Sequence, residues 1–325
     1  MSDSYVTVNF LDPVQDLLVR VEDQMQTLTS DHHPDLEVAL QHLFSSGGKR
    51  IRPAVALLTG CMLGAKSEQL VKLAAAIELL HTATLVHDDL IDGASLRRGI
   101  ATLNTQWSPA ATVLTGDFIF ARAAKMAAET DSVEVMRIFA DTLAAIVNGE
   151  LVQMFSSQGV AEREHYEKRI YAKTASMFEL ATTAAAYLSP VNDNLVNNSR
   201  LFGYQIGMAF QIVDDVLDFT GEQQTVGKPV ASDLRQGLIT LPVLFYLEEY
   251  PDDPDLCSII DGKYYSDVII DRVVTSIQMS GAIQRSLEEA NRYVDRGAGY
   301  LEELPDCQER RALEELSAYI VGRNL

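Results

Sequence analysis

Two copies of one aspartate pattern carry the most conspicuous chemistry in this chain. His87-Asp88-Asp89-Leu90-Ile91-Asp92 and Val213-Asp214-Asp215-Val216-Leu217-Asp218 both read Asp-Asp-x-x-Asp, and both sit in apolar, helix-like sequence. Residues i and i+4 share a helix face, so Asp88 points with Asp92 and Asp214 with Asp218, while Asp89 and Asp215 flank them. Carboxylates are rarely buried without a charge partner. Six of them on two apolar elements call for cations. Oxygen-only ligands suit magnesium, which keeps several waters and bridges to phosphates. Two such helices facing one another would hold Mg2+ ions over one diphosphate. A single copy reads equally well as a solvated acidic helix end. Two copies, each preceded by apolar residues (Leu85-Val86 and Phe210 to Val213), favour the metal reading.

A second set of residues is cationic. Gly47-Gly48-Lys49-Arg50-Ile51-Arg52-Pro53 is a glycine-rich turn that delivers three cations just before a helix. Glycine lets backbone N–H groups approach an anion, and the helix start adds its positive end. Arginine forks match phosphate oxygens, and lysine acts as a point charge. The spacing is not that of a P-loop. Arg97-Arg98-Gly99 follows the first aspartate cluster, and Lys173-Thr174 and Gly227-Lys228-Pro229 add further phosphate-ligand candidates. His81 lies seven residues before Asp88 on the same helical face, and Gln211 lies three before Asp214. Either also reads as a hydrogen-bonded core residue.

Helices must position these groups. Apolar residues recur at i, i+3, i+4 and i+7 over 67–92, and similar patterns run through about 12–29, 53–63, 109–129, 132–156, 164–188, 194–220, 233–249, 266–279, 281–303 and 308–322. Ser108-Pro109 and Arg52-Pro53 read as helix entries, and Asp131-Ser-Val-Glu134 as a capping box. Pro251 to Pro254, with Asp252, Asp253 and Asp255, reads as an acidic loop. Strand alternation is absent from the pattern. The expectation is one all-α domain over residues 1–325, a single large bundle of ten or more helices.

The bulk numbers agree. The chain has 325 residues, 47% of them hydrophobic, and a net charge of −20, which argues against nucleic acid as a partner. Three cysteines, Cys61, Cys257 and Cys307, suit a reducing cytoplasm better than a disulfide framework. No uninterrupted apolar run is long enough to span a membrane, and the N-terminus lacks the pattern of a signal peptide.

Gly-Gly-Lys-Arg-x-Arg-Pro, Leu-Val-His-Asp-Asp-x-x-Asp, Leu-Arg-Arg-Gly, Gly-Asp-Phe, Lys-Thr-Ala-Ser and Gln-Ile-Val-Asp-Asp-x-Leu-Asp occur in this order over roughly residues 12–322. Together they resemble the trans-isoprenyl diphosphate synthases, the polyprenyl synthetases. The resemblance implies an all-α bundle around a central cavity, a homodimer, and Mg2+, three ions per active site. It implies addition of isopentenyl diphosphate to an allylic diphosphate. Asp88, Asp92 and Asp214 would hold the metals, with Asp89, Asp215 and Asp218 beside them. Arg97, Lys173 and Lys228 would grip the allylic diphosphate. Gly48, Lys49, Arg52, His81 and Arg98 match the isopentenyl diphosphate site, and Thr174 and Gln211 match residues near the reacting carbons. One position departs. The family often carries Gly-Lys-x-Thr-Leu-Pro after the second aspartate motif, where this chain has Gly237-Leu238-Ile239-Thr240-Leu241-Pro242.

The growing product is expected to extend along the Asp88 helix. Ala83 and Thr84, five and four residues before Asp88, are small where short-chain members of the family carry an aromatic. A long product, octaprenyl or solanesyl diphosphate from a farnesyl or geranylgeranyl primer, is therefore expected, with transient membrane contact for its release. Competing readings are a geranylgeranyl diphosphate synthase, a terpene cyclase and a non-catalytic subunit of a heteromeric synthase. Leu238 is the support for the last.

Overall fold

A computed structural model describes residues 9–30, 32–45, 48–97, 99–155, 162–220, 230–260 and 266–323. These residues are almost wholly helical, as the periodicity predicts, with one short antiparallel hairpin that pairs Leu96 with Ala101 and Arg97 with Ile100. The chain packs as two compact units. The first takes residues 1–141, 177–203 and 300–316, and the second takes 142–176, 204–299 and 317–325.

The helix Ser67–Ile91 is the axis of the first unit. Leu70, Leu73, Ala74, Ala75, Ala76, Ile77, Leu79, Leu80 and Ala83 on it are all fully buried, so it is apolar on most faces rather than along one stripe. It is long and apolar enough to cross a membrane on those grounds alone, but 67% of its most apolar window is buried inside the protein. Its main neighbours are Pro109–Ala128, Ile51–Leu63 and Gln15–Gln26. Close approach is built into both long contacts. A Cβ at Gly60 would overlap the Leu70 side chain, and one at Gly116 would overlap the His87 imidazole.

In the second unit, the part of helix Asp193–Thr220 from Tyr204 onward buries Ile206, Met208, Ala209, Ile212, Val213, Val216 and Phe219. Leu241–Glu249 and Pro254–Ile260 pack on Asp267–Met279.

Several local expectations are corrected. The 164–188 pattern is not one uniform helix. Arg163–Ile170 runs into a π-helical turn at Tyr171–Ala175 before Ser176–Tyr187 resumes α geometry. The 233–249 pattern breaks into Ser232–Arg235 and Leu241–Glu249, because Gly237 adopts a φ of 79° and Pro242 can only start a helix. Ser132, not Asp131, caps the next helix, its Oγ accepting from the Val135 N–H at 3.2 Å. Pro251–Asp253 is a turn as the sequence reads, and the short helix Pro254–Ile260 that follows it is capped by Asp253, whose Oδ1 accepts from the Leu256 N–H at 2.8 Å. The helices Pro34–Ser45 and Leu103–Gln106 fall outside the expected helical ranges.

Candidate active site

The first acidic cluster occupies the C-terminal turn of Ser67–Ile91. Asp92 is its C-cap, with its N–H bonded back to the Asp88 carbonyl at 2.8 Å. A helix C-terminus carries negative partial charge, so carboxylates there are disfavoured unless cations offset them. The three aspartates divide. Asp89 is 7% exposed and turns inward to Arg97, whose Nε donates to both carboxylate oxygens at 2.9 and 3.0 Å, with Nη2 at 2.8 Å from Oδ1. Asp88 is half-buried and Asp92 exposed. Arg97 is delivered by the hairpin that follows, where Gly99 has a φ of 77°. So Asp89 reads better as the anchor of Arg97 than as a metal ligand.

The glycine-rich turn is also split by its surroundings. Arg50 sits in the left-handed region with a φ of 48°, which side chains other than glycine visit rarely. It is held there by two carboxylates: Nε and Nη2 donate to Glu22, and Nη1 donates to Glu78 at 2.6 Å. Burial disfavours the Arg50 charge, but Glu22 and Glu78 outweigh it and the pKa rises. Arg50 is therefore a structural cation, and the three cations of the turn are corrected to two ligand candidates, Lys49 and Arg52. Lys49 is exposed beside Gly48. Arg52 lies over the Phe178 ring at 5.1 Å, and its Nη1 is 3.3 Å from His81 Nε2. Arginine has no acceptor, so in this pair His81 Nε2 accepts and the imidazole proton is assigned to Nδ1. His81, Arg50, Glu78, Asp89 and Arg97 line one cavity of about 80 Å³ with His42 and Thr102. Ala83, on the same helix, is fully buried and Thr84 half-buried.

The second cluster divides in the same way. Asp214 Oδ1 accepts from Arg323 Nη1 at 2.9 Å, and the guanidinium stacks on Phe210 at 4.0 Å. Asp218 accepts from the Ser232 N–H and Oγ at 3.1 and 2.8 Å and from the Asp233 N–H at 3.1 Å. It caps the short helix Ser232–Arg235. Asp215 is buried and accepts from Tyr166 Oη and from Gln211 Nε2, both at 2.8 Å. Burial, then the nearby Asp233 charge, pushes Asp215 up to about 8, against the pull of both donors. Gln211 Oε1 in turn accepts from Thr174 Oγ1 at 2.6 Å. The sequence pairs Thr174 with Gln211 only by resemblance, and the structure bonds them. Lys173 and Thr174 both project from the π turn, a distortion that recurs at functional sites. Lys173 Nζ lies 3.3 Å from Glu150.

Sequence reading therefore places Gln211 and Thr174 together but misses Tyr166 and Arg323, which are distant in sequence and carry no motif. Arg98, Lys228 and Gly47 lie outside the described residues. Among the described residues no three histidine, cysteine or acidic side chains form a ready-made metal cage. Mg2+ does not need one. It usually takes one or two carboxylates and fills its octahedron with water and phosphate oxygens, so Asp88 and Asp92 in the first unit, and Asp214 in the second, each have the donor chemistry that fits it.

An all-α protein with two carboxylate motifs on long helices, and cations placed by neighbouring turns, has the donor chemistry to handle diphosphates with a divalent metal. The comparisons with known proteins refine the class. The chain belongs to the polyprenyl synthetase family, whose model matches residues 33–276. It is a prenyltransferase. Heptaprenyl diphosphate synthase component 2 of Geobacillus stearothermophilus is 34% identical over 312 residues, covering 96% of this chain and 97% of the relative. Solanesyl-diphosphate synthase 2 of rice is 33% identical over 326 residues, covering 97% and 79%. The crystal structure of a polyprenyl synthase from Caulobacter crescentus, complexed with calcium and isoprenyl diphosphate, superposes with a TM-score of 0.92 at 32% identity, over all of both chains.

Proposed function

We propose that this enzyme adds isopentenyl diphosphate units to a farnesyl or geranylgeranyl diphosphate primer and makes a long all-trans chain, octaprenyl or solanesyl diphosphate. The observation that carries the chain length is the run of small residues on the Asp88 helix. Ala83 and Thr84 lie just over one turn before Asp88, and Ala75 and Ala76 lie further back. The heptaprenyl and solanesyl names of two relatives support the same range.

Asp88, Asp92 and Asp214 are the Mg2+ donors in this reading. Bound Mg2+ supplies charge stabilisation to the departing diphosphate. Asp89, Asp215 and Asp218 hold Arg97, Gln211 and the 231–233 turn in place. Arg97, Lys173 and Lys228 grip the allylic diphosphate. Gly48, Lys49, Arg52, His81 and Arg98 receive isopentenyl diphosphate, with Arg52 and His81 already paired. Thr174 and Gln211 present a bonded hydroxyl–amide pair beside the reacting carbons. Apolar walls exclude water that would quench the allylic cation. The released diphosphate takes the final proton, so no side-chain base is assigned. In this reading the enzyme works in the cytoplasm as a homodimer. Three free cysteines support the compartment, and the exposed apolar stripe Val147, Leu151, Val152, Met154 and Phe155 supports a partner surface.

The test is the purified chain alone with isopentenyl and farnesyl diphosphates, with Mg2+ or with EDTA, the products separated by length. Long products with Mg2+ and none with EDTA are expected. A product that stops at geranylgeranyl diphosphate would overturn the long-chain reading. If the chain is inactive alone and active with an added subunit, the heteromeric reading, which the Geobacillus relative's name raises, replaces it. Ala83→Phe and Thr84→Phe are each expected to shorten the product by several units, because an aromatic ring blocks the path along the helix. An unchanged product length in both sinks the argument from small residues.

A further inference from the structure

The cavity beside the second acidic cluster brings Asp233, a carboxylate from outside the motif, next to the buried Asp215. It has a volume of about 120 Å³ and is lined by Arg169, Lys173, Gln211, Asp215, Asp233, Leu238 and others. Asp215 is only 3% exposed. Tyr166 and Gln211 satisfy the buried Asp215, so a cation lining this cavity acts on the neighbouring Asp233 and on an incoming diphosphate rather than on Asp215 alone. Two cations line the cavity. Lys173 reaches Glu150 at 3.3 Å and projects from the π turn. Arg169 stands one turn earlier, on the last turn of Arg163–Ile170, with its guanidinium 5.6 Å from the ring centre of Tyr166, the residue that donates to Asp215. Its Nη2 donates to the Ile239 carbonyl at 2.6 Å. That bond ties the helix bearing Lys173 and Thr174 to the chain that follows the Gly237 break. Leu238, the immediate neighbour of Ile239, lines the same cavity.

We infer that Arg169 is the positioning cation of this acidic cavity, occupying from the Arg163–Ile170 helix the electrostatic place that a lysine at position 238 would fill. The two positions line one space, so a single cation from either suffices. Leucine is tolerated at 238 because Arg169 is present. Arg169 also fixes the Ile239 carbonyl, and through it the turn that follows Asp233. This inference rests on the prenyltransferase reading. Its role is exerted through Asp215, Gln211 and the 237–240 turn.

The test begins with the wild-type enzyme, whose inactivity would speak against the functional reading rather than against Arg169. Given an active wild type, Arg169→Met is expected to weaken farnesyl diphosphate binding, read by calorimetry, and kcat by roughly 10- to 100-fold, the range seen when groups that orient ligands are lost. Adding Leu238→Lys to Arg169→Met is expected to restore both to within a few-fold. A role confined to packing against Tyr166 predicts no such rescue. The inference is overturned if Arg169→Met keeps wild-type affinity and rate, or if the double variant is as impaired as the single. If Arg169→Met fails to fold, Leu238→Lys must restore folding, and a double variant that stays unfolded overturns it equally.

Discussion

Asp88→Asn is expected to lower kcat/KM roughly a thousandfold while leaving the folded protein as stable as before. The substitution keeps the shape of the side chain and removes one charge. Metal stabilisation of a leaving diphosphate is worth several kcal/mol, and a loss of about 4 kcal/mol corresponds to about three decades in rate. Stability runs the other way. Asp88 lies in the last turn of Ser67–Ile91, next to Asp89 and near Asp92, where the helix dipole opposes anions by about 0.3–1 kcal/mol each. A structural aspartate would show the reverse signature, with stability lost and activity kept. Steady-state rates together with thermal unfolding of the variant separate the two cases. Activity within tenfold of wild type would remove Asp88 from the metal set. Asp89→Asn provides the contrast. It breaks a nearly buried pair with Arg97, so part of its effect is expected to be on stability.

The second large effect belongs to a residue without a chemical role. Arg50→Met is expected to destabilise the protein by about 3 kcal/mol, because removing one partner of a buried pair leaves the other charge stranded. Glu78 is the stranded group, with a side chain only 8% exposed, whereas Glu22 at 37% can turn to water. Removing both charges is a different matter. Replacing a buried ion pair with apolar residues is often neutral, so Arg50→Met with Glu78→Met is expected to return to within about 1 kcal/mol of wild type. Chemical denaturation of the two variants decides this. If the double variant is less stable than Arg50→Met, the stranded-charge account is wrong. Arg50 also sits at a positive φ directly between Lys49 and Ile51, so the single variant is expected to weaken isopentenyl diphosphate binding by loosening the turn that carries Lys49 and Arg52.

Much of this is written in local sequence. The Asp88 helix follows from its apolar spacing, and the helix at Pro109 from a serine and a proline in the right order. Ser108 Oγ does accept from the Ala111 N–H at 3.3 Å. What is illegible is set by contacts distant in the chain. Nothing near Arg50 announces that Glu22 and Glu78 will claim it, so it reads like Lys49 and Arg52 in a basic turn. Asp215 and Asp218 share a motif with Asp214, yet Tyr166 and Gln211 donate to the first while the second caps the helix Ser232–Arg235. Tyr166 stands 49 residues from Asp215, and Arg323 stands 109 residues from Asp214. The break at 236–240 was legible in Gly237 and Pro242, but the apolar run around them suggests a continuous helix. The helix Pro34–Ser45 is legible too, in Leu36, Ala39, Leu40, Leu43 and Phe44 at i, i+3, i+4, i+7 and i+8, of which Ala39, Leu40 and Phe44 are buried.

The π turn at Tyr171–Ala175 has a consequence for how the chain tolerates changes in length. A π turn accommodates one residue more than an α-turn, so it shifts the angular phase of everything beyond it. Residues up to Ser176 pack in the second unit and those from Met177 in the first. With the phase reset between them, the two stretches are free to bury different faces without a loop separating them. An ordinary helix cannot lose a residue without rotating its remaining side chains by about 100°. Here such a rotation is already stored, at the positions of Lys173 and Thr174. Trimming the segment by one residue would realign the two faces at the cost of the pair that the turn presents.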